Sequence, residues 1–216
     1  MKHIILFSCL MIASAASMAQ EKPEGLFINS KAPDFKVKDQ SGVELSLKEL
    51  RKKGPVVLVF YRGNWCPYCN KELKRLQDSL QFITAKGAQV IAITPEAKEG
   101  INKTIEKTGA VFPILYDADM KIAKAYQVSF EVDGKTVGRY KGFGTDLLAT
   151  NQQKEKAFLP VPAVYIINKE GSITYRFFDT DYRKRLAVKD ILEQLQSAAG
   201  EGKKWQGEKK SAFNFD

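Results

Sequence analysis

Residues 55–69, "PVVLVFYRGNWCPYC", constrain the fold more than any other stretch of this chain. The run "PVVLVFY" is continuously β-branched and aromatic, which is the signature of a strand buried on both faces. After Cys66 the period changes. Leu73, Leu76, Leu80 and Ile83 recur at helical spacing, with Lys71, Lys74, Asp78 and Gln81 on the other side, and Gly87 ends the segment. A buried strand that turns within a few residues into an amphipathic helix requires a sheet with a helix packed on it. The turn places Cys66 at the helix start, with Pro67 and Cys69 in the first turn.

The flanking segments extend this pattern. "APDFKVKDQSGVELSL" (32–47) alternates apolar and polar around Gly42 and predicts a β-hairpin. Ser46 to Glu49 has the spacing of a capping box and opens a short helix that ends before Gly54. "AQVIAIT" (88–94) is a second buried strand. Thr94-Pro95 then supplies a cap and a first-turn proline for a helix over 96–107. A third strand falls in 111–117 and a short helix in 118–126. The order β-α-β-α-β-α indicates an α/β sandwich with parallel strands. Residues 127–159 break the rhythm and look like an insertion, with a hairpin around Asp133-Gly134. "VPAVYII" (161–167) and "SITYRFF" (172–178) form an antiparallel hairpin, and 186–195 a final amphipathic helix. There is no internal repeat and no interdomain linker.

The first nineteen residues are set apart as a secretory signal. Lys2 and His3 precede the apolar run "IILFSCLMIASAA", which is too short to span a bilayer, and Ser17-Met18-Ala19 supplies a small-residue cleavage site. Residues 20–31 are then a lead-in, 32–198 one domain and 199–216 a polar mobile tail. Without the signal, Cys66 and Cys69 are the only cysteines, no histidine remains, and Met120 is the only methionine. That inventory excludes a Cys-His nucleophile pair, a histidine-based zinc or copper site, and haem ligation. No metal and no cofactor is expected. The formal net charge is +9, one unit of which is Lys2, and the basic residues are scattered. A solvated basic surface is favoured over a nucleic-acid interface, which would need a concentrated stripe with interleaved aromatics. No second apolar segment is long enough for stable membrane insertion.

Two cysteines separated by Pro-Tyr at a helix start suit redox chemistry. Free N–H groups and the helix dipole stabilise a thiolate there, and the spacing lets the sulfurs meet. A structural zinc site lacks ligands. A structural disulfide remains as an alternative outside the cytoplasm, but so short a ring constrains the unfolded chain little.

"FYRGNWCPYC" after a buried strand, with "APDF" upstream and "VPAVYIINKEG" downstream, resembles the thioredoxin fold. More narrowly, Ala32 to Leu195 resembles the peroxiredoxin-like branch of the alkyl hydroperoxide reductase and thiol-specific antioxidant superfamily. The insertion "YKGFGTDLLATN" and "DTDYRKRL" (179–186), which plain thioredoxins lack, are part of the likeness. The resemblance implies a thioredoxin-like three-layer α/β sandwich with an N-terminal β-hairpin and an insertion before a cis-proline strand, the proline being Pro162. It implies Cys66 and Cys69 as catalytic residues cycling through a Cys66–Cys69 disulfide, supported by Arg62, Trp65, Pro67 and Pro162.

The two branches of that resemblance name different sulfurs. Thioredoxin logic makes Cys66 the nucleophile and Cys69 the resolving thiol, with Trp65 before the nucleophile. The buried acid of the preceding strand falls on Phe60, so that proton shuttle is missing. Peroxiredoxin logic puts Cys69 in the peroxide-attacking position, with Arg62 and Cys66 where that family keeps its proline and hydroxyl. The family's later arginine falls on Pro162, so Arg62 is the candidate to supply the missing guanidinium. Three functions follow: a peroxide-reducing antioxidant enzyme, a reductase of protein disulfides, and a binding protein with a silent disulfide. The first two need a thioredoxin-type electron donor, and the signal implies export, to the periplasm in a bacterium.

Overall fold

The structure, a computed structural model, describes residues 22–199. The signal and the tail beyond residue 199 lie outside the described residues. The opening hairpin forms as β1 (Lys36–Lys38) and β2 (Glu44–Ser46), with Val37 opposite Leu45. Asp39 shapes its turn by accepting from the Ser41 and Val43 amides at 2.9 Å each. Ser46 Oγ then accepts from the Glu49 amide at 3.2 Å and starts α1 (Leu47–Lys53).

The run at 55–61 becomes β3 (Val56–Phe60), every residue of it buried. The predicted cysteine helix is two helices, α2 (Pro67–Asp78) and α3 (Leu80–Ala85). The break is at Ser79, whose amide bonds back to Arg75 and Gln77, while Leu76 and Ile83 still reach the same core. Next come β4 (Gln89–Thr94), α4 (Lys98–Thr108), β5 (Ile114–Tyr116) and α5 (Lys121–Ala125). Thr94 is not the cap of α4. It belongs to the strand, and its hydroxyl accepts from the Glu96 amide at 3.2 Å, which delays the helix to Lys98.

The insertion forms β6 (Ser129–Glu131), α6 (Gly134–Gly142), α7 (Leu147–Thr150) and β7 (Phe158–Pro160). No hairpin forms at Asp133-Gly134. The Asp133 carboxylate accepts from the Thr136 amide at 3.0 Å, so the dipeptide caps α6, and β6 pairs with the distant β7. A small core of Val132, Leu147, Ala157 and Leu159 holds this unit together. The chain closes with β8 (Ala163–Ile167), β9 (Ile173–Phe178) and α8 (Val188–Ala199).

One five-stranded open sheet, ordered β5-β4-β3-β8-β9, organises the whole. β3, β4 and β5 run parallel, whereas β8 is antiparallel to both β3 and β9, so the sheet is mixed rather than parallel. Alternation along β3 sorts the layers. Val57, Val59 and Tyr61 face α2, α3, α4 and α8, while Val56, Leu58 and Phe60 face α1, α5 and the N-terminal segment. The three-layer sandwich is therefore present, with the cysteines on the first face.

The cis-proline expectation is corrected: no cis peptide bond occurs among the described residues, so Pro162 is trans. The chain enters β8 directly from the β6–β7 ribbon, with the Val161 amide bonded to Val128 O at 2.7 Å, and an extended trans path fits that entry. Pro162 itself has no N–H to satisfy at a strand start.

Gly54 marks a tight approach between layers. A Cβ there would lie 1.9 Å from the Gly87 carbonyl oxygen. Gly54→Ala is expected to lower the free energy of unfolding by about 1–3 kcal/mol, as core overpacking does. A urea midpoint equal to that of the unsubstituted protein would show that the two turns separate freely.

Candidate active site

The site grows out of the end of β3. The Tyr61 amide bonds to Ile93 O at 3.0 Å, carrying the sheet one residue past the strand. The chain then leaves the sheet through Arg62, Gly63 and Asn64. Gly63 has φ +153°, and a Cβ on it would lie 2.5 Å from Trp65 Nε1 and 2.7 Å from the Glu96 carboxyl carbon, so only glycine fits. Glu96, fully buried, clasps this turn by accepting from the Asn64 amide and from Asn64 Nδ2, each at 2.6 Å. Burial raises the Glu96 carboxyl above its ordinary range against the pull of those two bonds. Lys107 closes the outside of the turn on Asn64 O and Oδ1. Neither Glu96 nor Lys107 was singled out by spacing, because both reach the turn from α4 and the loop before it.

Cys66 is the N-cap of α2, with Pro67 at the first helical position. Its sulfur accepts from the Cys69 amide at 3.3 Å. Both cysteines are free thiols and buried, Cys66 keeping 2% exposure and Cys69 none. Their chemistry diverges. The Cys66 thiol is pulled down to about 7, chiefly by the hydrogen bond from Cys69 and then by the Cys69 amide, Arg62 and Arg185, against the cost of burial. Burial pushes the Cys69 thiol well up, and the neighbouring Cys66 adds to the shift.

Two arginines, Arg62 and Arg185, act on the pair. Arg185, from the segment before α8, places Nη2 3.4 Å from Cys69 Sγ. Its Nε is 2.8 Å from Glu72 Oε2, a charge contact outside hydrogen-bond angles, with both side chains 6% exposed. Desolvation raises Glu72 to about 8 despite that cation. The guanidinium beside Cys69 is thus Arg185, and Arg62 does not take that role. Arg62 instead stacks near Trp65, Tyr140 and Tyr182, at 4.9, 5.5 and 4.5 Å from the ring centroids, and donates through Nη2 to Tyr140 Oη. Phe60 lies on the far face of the sheet against Tyr126 and Tyr165, away from the thiols. A carboxyl near Cys69 comes from Glu72, one turn beyond it on α2. The stretch "DTDYRKRL" was the one sequence signal for Arg185, and nothing within it distinguished that arginine from Arg183.

Pro162, just before β8, lines the same surface cavity as Arg62 and Tyr182. Pro67 is exposed, and the Tyr68 and Tyr182 rings meet beside it at 5.8 Å. Among the described residues no cluster of histidine, cysteine, aspartate and glutamate could hold a metal ion.

Fold and site together define a thioredoxin-fold, thiol-dependent oxidoreductase with a two-cysteine centre. Comparison with known proteins gives the family. A model described as the AhpC/TSA family matches residues 28–176, and the chain belongs to that family. The putative peroxiredoxin bcp of Helicobacter pylori (strain ATCC 700392 / 26695) is 30% identical over 172 residues, covering 80% of this chain and 99% of the relative. The thiol-disulfide oxidoreductase ResA of Bacillus subtilis (strain 168) is 24% identical over 151 residues, covering 69% of this chain and 66% of the relative. Among solved structures, peroxidoxin BcpB from Mycobacterium tuberculosis superposes with a TM-score of 0.60 at 21% identity, over 79% of this chain and 96% of the other.

The thiol at Cys66 yields a direct titration. Its alkylation by iodoacetamide should rise with pH and reach half its plateau near pH 7, because the thiolate is the reactive form. Cys69→Ala removes the largest stabilising contact, so the midpoint should move to higher pH. A midpoint that stays in place would assign the effect to the helix start and the arginines alone.

Proposed function

We propose that the chain is a dithiol–disulfide oxidoreductase in which Cys66 attacks and Cys69 resolves. One observation carries this reading: Cys66 caps α2, accepting the Cys69 amide with its thiol drawn down to about 7, while Cys69 is fully buried with its thiol raised. Access ranks the sulfurs in the same order.

The steps balance without a cofactor. The Cys66 thiolate attacks one sulfur of a substrate disulfide, forming a mixed disulfide and releasing the other sulfur as a thiolate. Cys69 then gives up its proton and attacks Cys66 Sγ, closing the Cys66–Cys69 disulfide and expelling the second substrate thiolate. Two electrons pass from the protein to the substrate. Arg185 Nη2, 3.4 Å away, stabilises the charge that develops on Cys69, with the Glu72 carboxyl 2.8 Å from that arginine. Pro67, with no N–H and a preset φ, lets the helix begin immediately after the nucleophile. Trp65 and Pro162 shape the approach to it. A thioredoxin-type donor returns the pair to the dithiol, and residues 1–19, read as a signal, place the reaction outside the cytoplasm, in the periplasm of a bacterium.

Peroxide reduction is the second reading, and Arg185 is the observation in its favour, since it sets a guanidinium on the sulfur that the peroxiredoxin alignment names. There Cys69 thiolate takes the terminal peroxide oxygen, becoming a sulfenic acid and releasing an alkoxide or hydroxide. Cys66 then displaces water to form the same disulfide.

The single-cysteine proteins decide between them. With Cys69→Ser, insulin should be captured as a mixed disulfide on Cys66, and Cys66→Ser should capture none. Rapid hydrogen peroxide consumption by Cys66→Ser, with a sulfenic acid on Cys69, would overturn the first reading in favour of the second. If the pair in the unsubstituted protein resists both reduction and these reagents, it is a silent disulfide.

A further inference from the structure

Arg62 helps lower the Cys66 thiol, yet in the resting dithiol it has no anionic partner among the described residues. Its side chain is almost entirely buried, at 5% exposure, and it makes no ion pair among the described residues. Among the described residues it donates from Nη2 to the Tyr140 hydroxyl, and its Nε is buried without a partner. A buried cation without an anion is costly, and three aromatic rings offset only part of that cost. The other buried arginine of the site, Arg185, has Glu72.

The guanidinium also lines a cavity of about 340 Å³, walled on the apolar side by Phe130, Val132, Val161 and Pro162. Two carboxylates border this cavity, and each is engaged elsewhere. Glu131 pairs with Lys156 at 2.9 Å, and Asp133 caps α6 through the Thr136 amide at 3.0 Å. Rings contribute no hydrogen-bond acceptor and Tyr140 Oη takes one N–H, so the guanidinium keeps further donors with which a carboxylate could pair. Arg62 links the cavity to the thiol turn, since it lines the one and its Cζ lies 4.9 Å from the ring of Trp65, the residue before Cys66, in the other.

We propose that this cavity is a carboxylate subsite, and that the substrate entering beside Cys66 is a small organic disulfide with a carboxylate held by Arg62 and an apolar body against Phe130 and Val161. The substrate part of this proposal rests on the dithiol reading, while the carboxylate site does not. Arg62 is here a specificity-determining residue.

Two measurements separate those parts. The first is equilibrium binding of 3-phenylpropionate and of 3-phenylpropanamide, which share a shape and differ in charge. The unsubstituted protein should prefer the carboxylate by roughly tenfold, the scale of a charge-assisted contact. Arg62→Gln should abolish the preference and Arg62→Lys retain part of it. Lys71→Gln, which removes an exposed charge on α2, should leave it intact and so control for the overall positive charge. Equal binding of the two compounds, or a preference that survives Arg62→Gln in a protein with an unchanged urea midpoint, overturns the subsite. The second is oxidation of the reduced protein by 3,3′-dithiodipropionate and by 3,3′-dithiodipropanamide, each rate divided by that of a free small thiol. The diacid should be favoured, again through Arg62. A bound carboxylate with no oxidation by either disulfide keeps the anion site and overturns the substrate assignment, whereas the dithiol reading falls only if Cys69→Ser also fails to capture insulin.

Discussion

The site depends on one hydrogen bond, from the Cys69 amide to Cys66 Sγ at 3.3 Å. A helix start leaves amides without partners, and an oxygen from serine, threonine or aspartate usually meets one of them. Here the acceptor is a sulfur. A thiol accepts weakly and a thiolate accepts well, so the cap is strongest when Cys66 is ionised. Helix capping therefore adds to the lowering of the Cys66 thiol, beside the larger contribution of the Cys69 thiol. The consequence runs through the redox cycle, because a fold that stabilises the thiolate stabilises the dithiol form relative to the disulfide. The proposed nucleophile is thus paired with a helix that favours its reduced state.

That contact needs its turn held still, and the structure spends buried polarity on doing so. Gly63 supplies a backbone conformation and a closeness that no side chain permits, and Glu96 supplies both acceptors for Asn64. Gly100 on α4 makes room for the same carboxyl, since a Cβ there would approach it to 2.6 Å. A carboxyl with two donors at 2.6 Å restrains the loop more firmly than apolar packing, because losing either partner strands a buried polar group. The turn that delivers Cys66 is in this way fastened to the next strand–helix unit, and its geometry is inherited from the sheet.

The sequence carried the parts of this arrangement that are local. The continuous apolar run became β3, the cysteine pair fell at a helix start, Ser46 capped α1, and the alternation around Gly42 became the hairpin. Errors arose where a short motif has two physical outcomes. Asp133-Gly134 suits a hairpin turn, but aspartate also caps helices, and the presence of β7 as a distant partner for β6 decided between them. Thr94 suits a cap, but pairing in β4 claimed it first. The cis form at Pro162 came from likeness, and the entry path from the insertion overrode it. Glu72, Glu96 and Arg185 were illegible as site residues for a different reason. Each acts through a neighbour that lies far away in sequence or across a layer, as with Arg185 and Cys69, 116 positions apart.

The two logics that one helix could follow, attack from its first cysteine or from its second, differ in how their cations are balanced. Beside Cys69, Arg185 lies 2.8 Å from Glu72, a carboxyl that burial raises to about 8 and so keeps largely protonated at neutral pH. A pair poised in this way can yield charge to a transient thiolate and take it back, which suits a resolving step. Arg62, on the Cys66 side, is compensated by aromatic rings and a hydroxyl alone. Its charge is unspent in the resting dithiol and is available to whatever anion arrives, the Cys66 thiolate or a substrate group. Arg185 thus has a carboxyl that can hold or release a proton, whereas Arg62 has only rings and a hydroxyl, a difference that supports the proposed assignment of Cys66 as the attacking sulfur.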